Sequence, residues 1–164
     1  MSVTVSILIG SESDLDLANK CSDTLDSLSI TNSIQVLSAH RTPGLLETHV
    51  RECEAGGTKV FIAMAGLAAH LAGAVASKTV LPVIGVPGDG GPLSGMDALL
   101  STVQMPKGIP VATVAIGSAG AINSAYLAAQ MLGIESESTR DALLKVREDG
   151  VEAIKESNKK LADS

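Results

Sequence analysis

Three short segments concentrate the side chains that could do chemistry: Gly10-Ser11-Glu12-Ser13-Asp14, Ser38-Ala39-His40-Arg41-Thr42-Pro43, and Ala65-Gly66-Leu67-Ala68-Ala69-His70-Leu71-Ala72-Gly73. The first is a glycine turn with hydroxyls leading into a helical pattern, whose free N–H groups favour an anion such as phosphate. No Lys follows the glycine and there is no triple-glycine fingerprint, so it is neither a Walker loop nor a dinucleotide turn. An ordinary capped helix start explains the same residues equally well. In the second segment Arg41 supplies a planar fork for phosphate or carboxylate, and His40 is the side chain able to exchange protons near neutral pH. Pro43 is placed to open a helix. Proton transfer beside a bound anion is therefore preferred here to a buried structural histidine. The third segment brings His70 together with small residues that leave room for a ligand and let backbone amides approach it. His49, inside the following helical pattern, is assigned a solvated or packing role. The Gly- and Pro-rich stretch Gly85 to Leu93 is either a cover for a ligand or a plain loop.

Each of these segments follows a short apolar run. The runs Val3–Ile9, Ile34–Leu37, Val60–Met64, Val83–Val86 and Val111–Ile116 predict five strands. Helical patterns over Asp14–Leu28, Pro43–Ala55, Ala68–Ser77 and Gly95–Val103 lie between them. Alternation of this kind predicts an α/β fold: a three-layer, doubly wound, flavodoxin-like parallel sheet, with strands apolar on both faces. Ligands of such sheets bind beyond the carboxyl ends of the strands, which is where the three segments fall. Ser118–Leu132, with Ala or Gly on nearly every side, is expected to be buried all round and to meet another subunit. Ser136–Leu161 is charged and amphipathic. The expected organisation is one catalytic domain over residues 1–164, a core of 1–134 plus a C-terminal helical extension, 135–164, packing on a neighbouring subunit.

Composition narrows the function classes. The 164 residues are 45% hydrophobic, yet they include 21 Ala, one Tyr, one Phe and no Trp. Twelve basic against 18 acidic side chains give a net charge of −6, with no basic run, so a nucleic-acid partner is not expected. No basic leader precedes an apolar stretch, and no apolar run is long enough for a membrane, so a cytoplasmic protein without membrane contact is expected. Cys21 and Cys53 match no metal-ligand spacing and lie in helical patterns, as suits a reducing compartment. No metal is expected: His40 and His70 are separated by a strand and a helix, with no third ligand marked by spacing. No Ser–His–Asp order can be defended. The residues alone thus point to a site for a phosphorylated small molecule, with one or two histidines placed for acid–base work.

The motifs GSESD, SAHRTP, AGLAAHLAG and SGMDALLSTVQMPKGIPVATVAIG, in this order, resemble the phosphoribosylaminoimidazole carboxylase catalytic subunit family of purine biosynthesis, from about Val3 to Leu132. SAHRTP and AAHL resemble its N5-carboxyaminoimidazole ribonucleotide mutase branch. The branch that uses free carbon dioxide typically has Lys in place of Arg41 and lacks the second His. The resemblance implies an isomerase without cofactor or metal that moves a carboxyl group from the exocyclic nitrogen to carbon 4 of the aminoimidazole ring, by decarboxylation and recarboxylation in a closed pocket. It also implies a homo-octamer around a fourfold axis. Carried over by motif, Ser11 and Arg41 would hold the 5′-phosphate, Asp14 the ribose hydroxyls, and His40 would be the general acid and base. Gly66, Ala68, His70 and Leu71 would line the pocket for the carboxylate or released carbon dioxide, with Ser38 and Ala39 completing the wall. The Gly88-Asp89-Gly90-Gly91-Pro92 loop is richer in glycine than that branch's pattern. Two alternatives stand beside this reading: direct carboxylation of aminoimidazole ribonucleotide by carbon dioxide, and a non-catalytic nucleotide-binding module. A flavin carrier comes last, because only Phe61 and Tyr126 could stack on the cofactor.

Overall fold

The computed structural model describes residues 3–162. Five parallel strands, β1 (Val5–Ile9), β2 (Asn32–Val36), β3 (Val60–Ala65), β4 (Val83–Pro87) and β5 (Ala112–Thr113), form one sheet in the order β2-β1-β3-β4-β5. Among the described residues six α-helices accompany them: α1 (Leu15–Ser27), α2 (Pro43–Ala55), α3 (Leu71–Ala76), α4 (Met96–Val103), α5 (Gly117–Leu132) and α6 (Glu137–Ala162). This is the doubly wound, flavodoxin-like order, with its chain reversal at β1 and β3.

The layering follows from the two-residue period of the strands. Val5, Ile7, Ile9, Val60, Ile62, Met64, Ile84 and Val86 point to one side and pack under Ala18, Cys21 and Leu25 of α1 and Ala121, Ala125, Ala128 and Ala129 of α5. Leu8, Phe61, Ala63 and Val83 point to the other and meet Leu46 and Val50 of α2 with Leu71, Ala72 and Val75 of α3. β1 and β4 are buried along their whole length. Covering both faces is what their continuous apolar sequence requires.

Four expectations need correction. β2 is not apolar on both faces: as an edge strand reading NSIQV it is half exposed, and it begins at Asn32, where pairing with β1 rather than apolarity sets its limit. β5 is two residues long instead of six, because only β4 flanks it and a left-handed Gly117 already turns the chain into α5. α3 starts at Leu71 and not Ala68, since Leu67 sits at φ +54°, outside helical geometry. α5 is not buried all round in the single chain: its small residues line the side toward α1 and the sheet, while Ala119, Ile122, Asn123 and Gln130 are exposed. α6 packs Ala142, Leu143 and Val146 on its own α5 side, and from Arg147 onward its residues are exposed.

Candidate active site

The carboxyl ends of β1 to β4 open into a cavity of about 850 Å³. All ten residues singled out by the sequence lie on its wall: Ser11 and Asp14 after β1, Ser38, Ala39, His40 and Arg41 after β2, and Gly66, Ala68, His70 and Leu71 after β3.

After β1, Ser11 caps a short 3₁₀ turn over Glu12–Asp14 that leads into α1. Its Oγ accepts the Ser13 N–H at 3.3 Å and lies 2.5 Å from Ser13 Oγ, while Asp14 Oδ2 accepts the Ser11 N–H at 3.2 Å. The turn is therefore a capped helix start, and it faces the cavity as well. Burial raises the Asp14 carboxyl above the usual carboxylate value, opposed by the Ser11 N–H.

After β2, Ser38 acts as a bracket. Thr42 Oγ1 accepts its N–H at 3.0 Å and donates to its carbonyl at 3.1 Å, and Ser38 Oγ accepts from Arg41 N at 3.2 Å and Nε at 3.3 Å. Arg41 Nη2 donates to the Gly10 carbonyl at 2.9 Å. The guanidinium is thus fixed across the ends of two neighbouring strands, an orientation suited to a planar anion. After β3, the chain bends tightly, with Ala69 N–H on the Leu67 carbonyl at 2.9 Å and His70 N–H on the Ala68 carbonyl at 2.8 Å. A branched residue at φ +54° is costly, and such conformations gather at binding sites. This bend puts His70 at the head of α3, where its Nδ1 lies 2.8 Å from His40 Nε2. The two rings meet edge to face, centroids 4.9 Å apart and planes at 75°. In that hydrogen bond one ring donates and the other accepts, so the pair can pass a proton between them.

The cavity also contains Ser13 of the first segment and Asp89 of the Gly-rich loop, together with residues that sequence reading missed: Asp16, Leu17, Lys20 and Ser118. Lys20 Nζ donates to Ser118 Oγ at 2.6 Å, joining α1 to α5. A side chain on Gly117 would begin 2.9 Å from Asp89 Oδ2, so the glycine is what allows the Asp89 carboxylate to lie against the head of α5. The three-, four- and seven-residue spacing of Asp16, Leu17 and Lys20 from Ser13 could have pointed to Lys20; Asp89 stands in the stretch read as a cover or a plain loop, and Ser118 carries no signal before β4, β5 and α5 are assembled. His49 lies elsewhere, between β1 and α2, with Nε2 at 3.1 Å from Ser6 Oγ and 3.3 Å from Cys53 Sγ, so of the solvated and packing roles left open for it the structure shows packing. Among the described residues no three His, Cys, Asp or Glu side chains cluster closely enough to hold a metal ion. The implied closed pocket is not formed by the described residues of the single chain: His40, Arg41 and His70 are exposed, because none of those residues covers the crest of the sheet there.

A parallel sheet with its functional side chains gathered beyond its carboxyl ends defines a small-molecule-binding α/β protein. More particularly, the chain belongs to the AIR carboxylase family, whose sequence model matches residues 4–153. It is 49% identical over 154 residues to the N5-carboxyaminoimidazole ribonucleotide mutase of Pseudomonas aeruginosa, covering 94% of each chain. With the N5-carboxyaminoimidazole ribonucleotide mutase of Bacillus subtilis it shares 46% identity over 161 residues, 98% of this chain and 99% of that one. Among solved structures, the crystal structure of Treponema denticola PurE superimposes with a TM-score of 0.87 at 30% identity, covering 96% of this chain and 97% of that one.

Proposed function

We propose that the chain is an N5-carboxyaminoimidazole ribonucleotide mutase, an isomerase of purine biosynthesis that converts its substrate to 4-carboxyaminoimidazole ribonucleotide. The observation that carries this reading is the 2.8 Å contact between His40 and His70 beside a braced Arg41, in a cavity walled by Gly66 and Ala68. In the reaction, His40 protonates the exocyclic nitrogen as its bond to the carboxyl carbon breaks, releasing carbon dioxide. Carbon 4 then attacks that carbon dioxide, and His40 removes the carbon 4 proton, restoring its starting state. Ser11 and Arg41 hold the phosphate and Asp14 the ribose hydroxyls. Gly66, Ala68, His70 and Leu71, with Ser38 and Ala39, keep the small gas molecule within reach of the ring. The chemistry calls on no cofactor.

Retaining carbon dioxide needs a covered site, and His40, Arg41 and His70 are exposed in one chain. The reading therefore includes a homo-octamer in the cytoplasm, one catalytic domain per chain, in which residues 135–164 pack on a neighbour and adjoining subunits cover the cavity. The test is a rate comparison: the wild type should turn over the N5-carboxylated nucleotide at low bicarbonate. Turnover only of the free nucleotide with bicarbonate would favour direct carboxylation, and tight binding with no turnover of either would favour a non-catalytic module. His40→Asn should still bind the nucleotide while kcat falls about 10²- to 10⁴-fold; unchanged turnover would remove His40 from its role.

A further inference from the structure

α1 carries Asp16 and Lys20 four residues apart, the spacing at which an acid and a base on a water-facing helix surface normally pair. They do not pair here. Among the described residues the ion pairs are made by Arg51, Lys78, Lys145 and Lys155. Lys20 turns instead into the cavity and donates to Ser118 Oγ at 2.6 Å. Nor does it pair with Asp89, whose carboxylate lies against the adjacent Gly117. An ammonium has three donors, and the hydroxyl of Ser118 engages one.

The charges around the cavity give this orientation a consequence. Asp14, Asp16 and Asp89 line it, against Lys20 and Arg41 as its cations. A phosphate arriving there meets three carboxylates, and Arg41 is already braced on Gly10 and Ser38. Position matters too. His40 and His70 precede α2 and α3, which cover one face of the sheet, whereas Lys20 and Ser118 belong to α1 and α5 on the other. Ser11 opens the turn that leads into α1, and Arg41 reaches the Gly10 carbonyl just before it, so an anion held by those two lies in the part of the cavity that α1, with Lys20, borders.

We infer that Lys20 is a phosphate-binding residue, completing with Ser11 and Arg41 the seat for the 5′-phosphate of the bound nucleotide. The inference rests on the nucleotide reading given under the proposed function. A compact, strongly hydrated ammonium on a flexible stem suits this task, since it can leave the Ser118 hydroxyl for a charged acceptor at little cost.

Lys20→Met and Lys20→Arg test it. Lys20 is exposed, so both variants should keep the wild-type circular dichroism and melting temperature. In Lys20→Met the KM for the N5-carboxylated nucleotide should rise about ten- to hundredfold, the range for losing one hydrogen bond between charged groups, with kcat within about twofold. Inhibition by ribose 5-phosphate should weaken in parallel, and Lys20→Arg should recover most of both. An unchanged KM overturns the inference. So does a raised KM with unaltered ribose 5-phosphate inhibition, which would place Lys20 at the other end of the ligand. If the wild type turns over neither nucleotide, the mutase reading fails by itself, and calorimetric titration of the same proteins with ribose 5-phosphate still decides the role of Lys20.

Discussion

His49 buries part of an imidazole between β1 and α2, held by Ser6 and Cys53, and burial pushes its pKa below the ordinary imidazole value despite the opposing charge of Glu52. With its pKa depressed in the folded state, the unfolded chain binds the extra proton first as pH drops. Stability must therefore fall as pH goes below about 6.5, and the contribution vanishes well above it. Urea midpoints of wild type and His49→Gln between pH 7.5 and 5 should show the wild type losing stability more steeply, while parallel profiles would show that the ring is not protected from its proton. The contrast with His40 and His70 is instructive. Those two were legible in the sequence because Arg41, Pro43 and a run of small residues stood beside them at strand ends. Their mutual hydrogen bond was not, since it depends on a left-handed Leu67 that no residue type announces.

At the scale of elements, α5 shows how composition sets distance. Gly120, Ala121, Ser124, Ala125, Ala128 and Ala129 are buried, bringing the helix close enough to α1 for Ser124 Oγ to lie 3.5 Å from Cys21 Sγ. A Cβ on Gly120 would begin 1.7 Å from the Ala115 carbonyl oxygen and 3.3 Å from Val86 Cγ1. Backbone cannot yield as a flexible side chain does, so Gly120→Ala should cost at least the ~1–3 kcal/mol typical of overpacking. In a chain of this size each kcal/mol lowers Tm by about 2–4 °C; a calorimetric Tm within a degree of wild type would show that the turn before α5 relaxes. Small residues on α5 revealed tight packing but not on how many sides, because an Ala reads alike whether it faces a neighbour or water. The strand errors have the same origin. Apolar runs located β1, β3 and β4, the strands flanked on both sides, whereas β2 and β5 are edges whose extent is set by hydrogen bonds to one partner.

For the molecule as a whole, the far part of α6 is the least explained by the chain's own packing. Its residues from Arg147 to Ala162 are exposed, a rod about 24 Å long at the usual helical rise. Leu144, Val151, Ile154 and Leu161 stand 55, 54, 64 and 74% exposed, at spacings of seven, three and seven residues that keep them on one side of the helix. A seam of this kind on an otherwise charged helix is expected to be covered by another copy of the chain, since in water it would gain nothing from being apolar. The same assembly would supply the cover that the cavity lacks. Ile154→Glu separates the two roles cleanly: in a lone chain the site is open to solvent, so the substitution should leave helicity and monomer folding intact, and any change must come from assembly. Sedimentation of the variant should show species smaller than the wild-type assembly, and mutase turnover should fall with it as the cavity opens and carbon dioxide escapes. An unaltered sedimentation coefficient with full activity would mean that this seam covers nothing and that the cavity is closed by some other surface.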